Sequence, residues 1–191
     1  MKKFFITTFV VSLALSNLAY ANTENDKLLE ISRNSSKELL GTLKTQLTSA
    51  LKDKNTEQAV IVCSSVAQDI ASNVSKRNNI SIKRVSLKNR NPNGLPDDYE
   101  MKNLKLFEEL KASNKLAPNH EVYSIVTENN EKYFRYMKPI VTAKSCLQCH
   151  GAKNEVKENV RNILTKKYPK DIAFDYKEGD IRGAVSSKIK L

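Results

Sequence analysis

The sequence predicts an α+β fold in which helices flank an antiparallel β-sheet. Three observations carry this prediction: two successive helical periodicities in the N-terminal half, a pair of alternating segments joined by a four-residue turn, and one alternating segment at the C-terminus. Taken in order, the patterns read α-α-β-α-β-β-α-β, with no internal repeat, low-complexity stretch or interdomain linker. This order is typical of a single α+β domain.

Residues 1–21 have the organisation of a secretory signal peptide. A start with two lysines precedes an apolar run over residues 4–18, and Ala19-Tyr20-Ala21 is a small-x-small cleavage site. The apolar run is short for a membrane span, and an uncleaved N-terminal anchor is the alternative. We therefore expect export to the periplasm with cleavage after Ala21, which leaves residues 22–191 as one domain.

The two helical patterns follow this segment. Residues 23–53 carry leucine and isoleucine at near-helical spacing, and Thr23 with Asp26 three residues later is an N-cap signal. A second apolar stripe begins near residue 55 or 56, contains Cys63 and ends in the polar stretch 76–79. Because a short polar turn joins them, the two helices are expected to pack as a long antiparallel pair.

The remaining patterns alternate between strand and helix. They predict a strand over residues 80–87, a loop over 88–96, a helix over 97–113, strands over 120–127 and 132–140, a helix over 154–167 and a strand over 181–189. Asp97 can cap its helix, and the turn signals Asn91-Pro92 and Asn93-Gly94 mark the loop. Glu128-Asn129-Asn130-Glu131 is the hairpin turn between the paired strands.

Cys146-Leu147-Gln148-Cys149-His150 is the most informative motif of the chain. C-x-x-C-H is the attachment signature of a c-type haem, in which two thiols bind the haem vinyl groups and the histidine becomes an axial iron ligand. The chain has only three Cys and two His, so a chance match is improbable. Because covalent attachment in bacteria follows export, motif and signal peptide agree. We expect one covalently bound haem c held by Cys146, Cys149 and His150.

The residues alone do not identify the second axial ligand of the iron. Residues 151–191 contain no Met, His or Cys, which excludes the downstream methionine of class I cytochromes c. The candidates are therefore Cys63, His120, Met101 and Met137, or an open position on the iron. For Met101 and Met137 the alternative to ligation is packing in the core, and for His120 it is a position facing solvent. A lone buried cysteine commonly packs as a small hydrophobe, but Cys63 also lacks a disulfide partner if both motif cysteines hold haem.

Four segments match, in order, those of one known family. They are Val62-Cys63 through Val66-Ala67 to Ile70-Ala71, Arg90-Asn91-Pro92-Asn93 with Glu100, Lys138-Pro139-Ile140 leading into the haem motif and Gly151, and Tyr176-Lys177-Glu178-Gly179-Asp180-Ile181-Arg182-Gly183-Ala184. On these segments the chain resembles the exported monohaem c-type proteins with a PAS-like haem domain, which is also the sensor portion of some membrane histidine kinases. The resemblance implies a PAS-like antiparallel sheet flanked by helices, and haem ligation by His150 and Cys63.

This ligand set leads to a functional expectation. A thiolate stabilises Fe(III) over Fe(II). Reduction of the iron, or protonation of the cysteine, would therefore favour release of the cysteine from the iron. We therefore expect a redox or small-gas (CO or NO) sensor module, with a periplasmic electron-transfer cytochrome c as the alternative. Catalysis is not expected, because only His120 remains to supply acid–base chemistry. Arg90 and Asn91 are candidate contacts to haem or a propionate, and Arg182 is a further one.

The charge of the chain bears on its partners. The net charge of +11 falls to +9 when the two lysines of the signal peptide are removed. An exported protein does not meet nucleic acid, so the surplus indicates an acidic redox or signalling partner, anionic lipid, the haem propionates, or simply a scattered lysine-rich surface. Membrane association is not required.

Two alternatives use the same cysteines without haem. Cys63, Cys146, Cys149 and His150 could form a zinc site, but exported proteins rarely keep free thiols for zinc. Cys146 and Cys149 could serve a thiol oxidoreductase, but neither the aromatic residue before the motif nor the βαβ unit typical of that class is present. The strand segments also argue against a cytochrome c′-like four-helix bundle.

Overall fold

A computed structural model describes the backbone of residues 9–52 and 56–191, and the side chains of residues 23–52 and 57–191. The start of the expected signal peptide, residues 1–8, and the side chains at its cleavage site lie outside these ranges, so cleavage after Ala21 stays a prediction. Within the described ranges, no helix is both long and apolar enough to cross a membrane.

Helix α1 extends over 44 residues, Phe9–Lys52. The sequence predicted a start at Thr23, and this prediction was wrong because the helix continues without interruption through that residue. Neither Gly nor Pro occurs between residues 9 and 40, so nothing in the chain opposes continued helical hydrogen bonding. The apolar side of α1, with Leu29 and Leu39, packs on the sheet.

The second predicted helix is divided by a wider turn. Helix α2 (Thr56–Ile61) leads into a π-helical segment (Val62–Val66), and α3 (Ala67–Asn78) follows directly. Asn79 ends α3 in the left-handed conformation, with a φ of 50°, and donates its backbone N–H to the carbonyl of Ser75. Periodicity predicted the antiparallel pairing with α1 but not the π segment, which contains Cys63.

The sheet has four antiparallel strands in the order β1-β4-β3-β2. Its strands and the remaining helices are β1 (Ser81–Val85), α4 (Asp98–Ala112), β2 (Val122–Glu128), β3 (Glu131–Val141), α5 (Leu147–His150), α6 (Glu158–Lys167) and β4 (Ile181–Lys190). The predicted α+β class is confirmed, and the sheet flanked by helices is PAS-like. The C-terminal strand pairs with both β1 and β3 and so occupies the interior of the sheet.

Local signals set the boundaries of several elements. Asp97 and Glu100 form a capping box at the start of α4, each carboxylate accepting the backbone N–H of the other residue at 2.8 and 2.9 Å. Asn129 and Asn130 join β2 and β3 with φ values of 51° and 64°, as a two-residue hairpin turn requires. These boundaries agree with the sequence predictions to within two residues.

The two faces of the sheet pack against different helices. One face contacts α1 and α3 through a core of Leu29, Leu39, Val74, Ile80, Ile82, Phe134, Tyr136, Val185 and Ile189. The other face contacts α4 through Val85, Leu104, Phe107, Met137, Ile181 and Ala184. Further apolar clusters join α1 to the α2–α3 segment and α2 to α6. The helical pair therefore contacts both the sheet and the segment that contains α6.

Candidate functional site

A cavity of about 420 Å³ lies where the helical pair, the sheet and the C-x-x-C-H segment meet. Its wall contains all six residues that the sequence singled out as site residues: Cys63, Arg90, Asn91, Cys146, Cys149 and His150. The helical side is largely apolar and is formed by Leu40, Leu43, Leu47, Leu51, Ala59 and Val60. The opposite side carries Arg84, Arg90 and Arg182. The cavity is therefore mainly apolar on its helical side, which also carries Lys44, and cationic on the other.

The π segment brings Cys63 to the cavity wall. Its neighbours Val62 and Ser64 are buried, and the hydroxyl of Ser64 donates to the carbonyl of Ile61 at 3.2 Å. Cys63 is half-buried and forms no disulfide. Burial raises the pKa of its thiol, and the positive charges of the nearby arginines oppose that rise. Such π turns are frequent at functional sites.

The two motif cysteines lie on a short helical stretch after β3. A single 3₁₀ turn ends at Cys146, and α5 carries Cys149 and His150. Both thiols are half-buried and unpaired, and burial raises the pKa of Cys149 to about 11. Among the described residues, no three His, Cys, Asp or Glu side chains are grouped to hold a metal ion directly. The four residues of the zinc alternative therefore do not close on one ion.

His150 is held by a backbone carbonyl. Its Nδ1 lies 2.8 Å from the carbonyl oxygen of Ala173, and its ring meets that of Tyr176 edge to face. Because a carbonyl only accepts, Nδ1 carries the proton and the lone pair of Nε2 is available to a metal. Burial, with the positive charges of Arg182 and Arg90, holds the pKa of His150 well below its ordinary value. The imidazole is therefore neutral at pH 7.

Arg90 connects the haem motif to the segment before β4. Its Nε lies 2.7 Å from the Asp171 carboxylate, and both side chains are buried. Its Nη2 donates to the carbonyls of Cys149 at 2.7 Å and Ala173 at 3.2 Å. The guanidinium is thus engaged by protein groups, and Arg90 acts as a clamp on the motif. Asn91 accepts from the backbone N–H of Asn93 at 3.0 Å and caps the loop beside it.

Two further arginines line the cavity, Arg84 on β1 and Arg182 on β4. Sequence patterns indicated Arg182 but not Arg84, although strand alternation could have revealed it. Ile82 faces the α1 side of the sheet, and Arg84, two residues later, shares that face. Asp171 and Ala173 were also missed, since no local pattern relates them to a motif more than 20 residues away.

The other candidate ligands lie elsewhere. Met137 is fully buried in the cluster on the α4 side of the sheet, and Met101 lies on α4 itself. His120 is half-buried and meets the ring of Phe107 edge to face, so the predicted solvent exposure was wrong. None of the three lines the cavity. Cys63 is therefore the one sequence-predicted candidate that shares a cavity with His150.

Comparisons with known proteins agree with this architecture. The model of the Tll0287-like family, described as Tll0287, matches residues 18–190. No curated protein matches the chain. Among solved structures, the crystal structure of the cyanobacterial heme-protein Tll0287 is similar with a TM-score of 0.62 and 24% identity, over 88% of this chain and 96% of that one. The match extends from the end of the expected signal peptide to the last strand, and the chain therefore belongs to the Tll0287-like family.

Proposed function

We propose that this chain is an exported, single-haem c-type protein that acts as a redox or small-gas sensor. The observation that carries the proposal is the shared cavity, whose wall contains both cysteines and the histidine of C-x-x-C-H together with Cys63. The similarity to a protein described as a cyanobacterial heme-protein supports the same cofactor.

The residues of the cavity fit haem chemically. Haem is flat and apolar, with two acidic side chains, and the cavity pairs a leucine-rich side with an arginine-bearing one. The thiols of Cys146 and Cys149 are free to form the two thioether bonds. Neutral His150 would bind the iron through Nε2, and Cys63 would provide a second ligand. When bound, the group supplies one-electron redox chemistry and a position for a diatomic gas.

The protein residues control which ligands are available. The Ala173 carbonyl keeps the proton of His150 on Nδ1, so Nε2 would remain free to bind the iron in either oxidation state. Cys63 is balanced differently, because burial favours the neutral thiol whereas Arg84, Arg90 and Arg182 favour the thiolate. A proton taken up at Sγ would remove the second ligand. We infer that reduction and acidification both favour this release, which makes Cys63 the switching element.

Periplasmic electron transfer without sensing is the second candidate. The buried Arg90–Asp171 pair and the Arg90 contacts with the Cys149 and Ala173 carbonyls hold the motif firmly. A rigid ligand environment limits reorganisation, which suits a carrier if Cys63 stays bound on reduction. The net positive charge would then steer an acidic redox or signalling protein to the surface. The two candidates differ only in the fate of the second ligand.

Exposure of the reduced protein to CO separates them. The chain is expressed with its leader in a host that matures c-type cytochromes, and the periplasmic product is purified. Mass spectrometry should find a chain that begins at Asn22 with one covalent haem, and a haem-free product would contradict the cofactor. A sensor should bind CO when reduced with dithionite and lose it on reoxidation. A reduced spectrum that CO leaves unchanged would favour the carrier.

A further inference from the structure

Arg84 and Arg182 are cations without acidic partners on the cavity wall. Across the described part of the chain, no carboxylate lies within ion-pair distance of either guanidinium. Arg90 beside them is paired with Asp171, and the buried Arg135 on the other sheet face contacts three carboxylates. Of the three arginines that line the cavity, Arg84 and Arg182 are therefore the two without a carboxylate partner among the described residues.

Each makes few hydrogen bonds to the described residues, and Arg182 also lies over the ring of Tyr176, 5.2 Å from its centroid. Arg84 donates from Nη2 to the carbonyl of Cys63 at 3.4 Å. Arg182 donates from Nη1 to the Ser86 hydroxyl at 3.0 Å and to the Lys88 carbonyl at 3.4 Å. The Nε of Arg182 is buried and has no partner in the described residues. A guanidinium has several N–H donors in a fixed fork, so most of the donors on both residues have no partner in the described part of the chain.

The electrostatics of the wall favour an anion. Burial is the largest influence on both groups and lowers the pKa of each guanidinium. On Arg182, the charges of Arg90 and Arg84 lower the pKa further, and Tyr176 and Asp171 oppose them. The exposed Lys44 lines the helical side of the same cavity. Arg90 is paired with Asp171, whereas Arg84 and Arg182 have no carboxylate partner among the described residues. Buried charges of this kind are ordinarily matched by a ligand or partner.

We propose that Arg84 and Arg182 bind the two propionate carboxylates of the haem. This inference rests on the proposed function and assigns the acidic side of the cofactor to β1 and β4, where these arginines lie. Two carboxylates match the two unpaired arginines in number, and a guanidinium fork matches a carboxylate in geometry. Arg90 keeps its bond to Asp171 and acts on the haem motif instead.

Two porphyrins test the assignment directly. Cys146→Ala/Cys149→Ala in the full chain prevents covalent attachment, so the affinities for ferric protoporphyrin IX and for its dimethyl ester can both be measured by absorbance titration. This double variant is the parent for the comparison, and it should bind the diacid, protoporphyrin IX, about 100-fold more tightly than the ester. Arg84→Gln and Arg182→Gln should each reduce the ratio of diacid to ester affinity about tenfold and leave the affinity for the ester unchanged. Arg77→Gln, at an exposed pair with Glu38, is the matched control.

The possible outcomes distinguish failure of the propionate assignment from failure of the haem proposal. If neither porphyrin binds, the haem proposal itself fails. If both bind equally to the parent, or if Arg90→Gln alone removes the preference for the diacid, the assignment to Arg84 and Arg182 is overturned. Circular dichroism melts identify variants that do not fold, and the diacid–ester comparison in the parent then decides. Arg84→Lys and Arg182→Lys should retain part of the preference, because they keep the charge and lose the fork.

Discussion

Arg90 and His150 meet at one backbone oxygen, the carbonyl of Ala173. That oxygen lies 2.8 Å from Nδ1 of His150 and accepts from Nη2 of Arg90 at 3.2 Å. Arg90 also donates to the carbonyl of Cys149, which precedes the histidine in the chain. One buried cation therefore orients the imidazole from both sides, through the motif backbone and through the carbonyl that sets the tautomer.

Replacement of Arg90 should destabilise the protein strongly. Arg90→Gln leaves the buried Asp171 carboxylate without its cation, and we expect a loss of about 3 kcal/mol in the free energy of unfolding. Guanidinium denaturation measures this loss. Arg90→Gln/Asp171→Asn is the control and should recover part of the stability, because no buried charge is left unpaired. Equal losses in the single and double variants would contradict the account.

Next to the cavity, β4 lies close to the backbone of β1, and this close contact depends on Gly183. Its φ is +154°, and a Cβ there would lie 2.2 Å from the carbonyl oxygen of Val85. Gly183→Ala should therefore cost at least about 2 kcal/mol in unfolding free energy and reduce the yield of haem-bearing protein. Gly41→Ala is the matched control, since nothing lies within 4 Å of a Cβ in that helical position. It should stabilise the chain by about 0.5–1 kcal/mol. Both values come from chemical denaturation, and a neutral Gly183→Ala would contradict the proposed close approach.

Acid should weaken the charge cluster around Arg135. Burial opposes ionisation of Asp97, but the backbone N–H of Glu100 and the Arg135 guanidinium outweigh it and lower the Asp97 pKa. Hydrogen bonding to Lys188 is the main cause of the lowered pKa of Glu128. A carboxylate with a lowered pKa stabilises the fold above its unfolded pKa of about 4, and that stability is lost as pH falls through the folded value.

Urea midpoints between pH 7 and pH 3 test this dependence. The midpoint of the parent should fall steeply below about pH 4, and that of Asp97→Asn should fall less. Asp69→Asn provides a control, because Asp69 lies on α3 outside this cluster. Parallel curves for parent and Asp97→Asn would show that the cluster does not contribute.

The alternative axial ligands can be excluded individually. Met137 and Met101 belong to the α4 side of the sheet, and His120 packs on Phe107. Met137→Leu, Met101→Leu and His120→Gln should therefore leave the ferric and ferrous absorption spectra unchanged. Loss of a ligand band in any one of them would assign the second ligand to that residue instead of Cys63.

Much of the architecture could be read from local signals. The capping box at Asp97 and Glu100, the Asn129-Asn130 turn and the alternation of the strands depend on neighbours in the chain, and the structure has them where the sequence placed them. The start of α1 was misplaced because Thr23 has a capping side chain but no break in the helix before it. A capping residue permits a helix start without requiring one.

The fine structure of the site depended on contacts that no local pattern contains. Arg90 and Asp171 are 81 residues apart in sequence, so their pair emerges only when the loop and the last segment meet. The π segment around Cys63 inserts an extra residue into an otherwise regular helical period, which apolar spacing alone did not reveal. The motif predicted the chemistry of the site, whereas the contacts that orient its residues depend on tertiary packing.

The spectra of the matured protein and of Cys63→Ala, ferric and dithionite-reduced, test the central claim most directly. Thiolate ligation by Cys63 predicts that the substitution alters the ferric absorption and electron paramagnetic resonance spectra and raises the reduction potential. Release on reduction further predicts that the reduced spectra of the two proteins resemble each other more closely than the ferric ones. Identical ferric spectra in the parent and Cys63→Ala would contradict the account, because Cys63 would then not be a ligand.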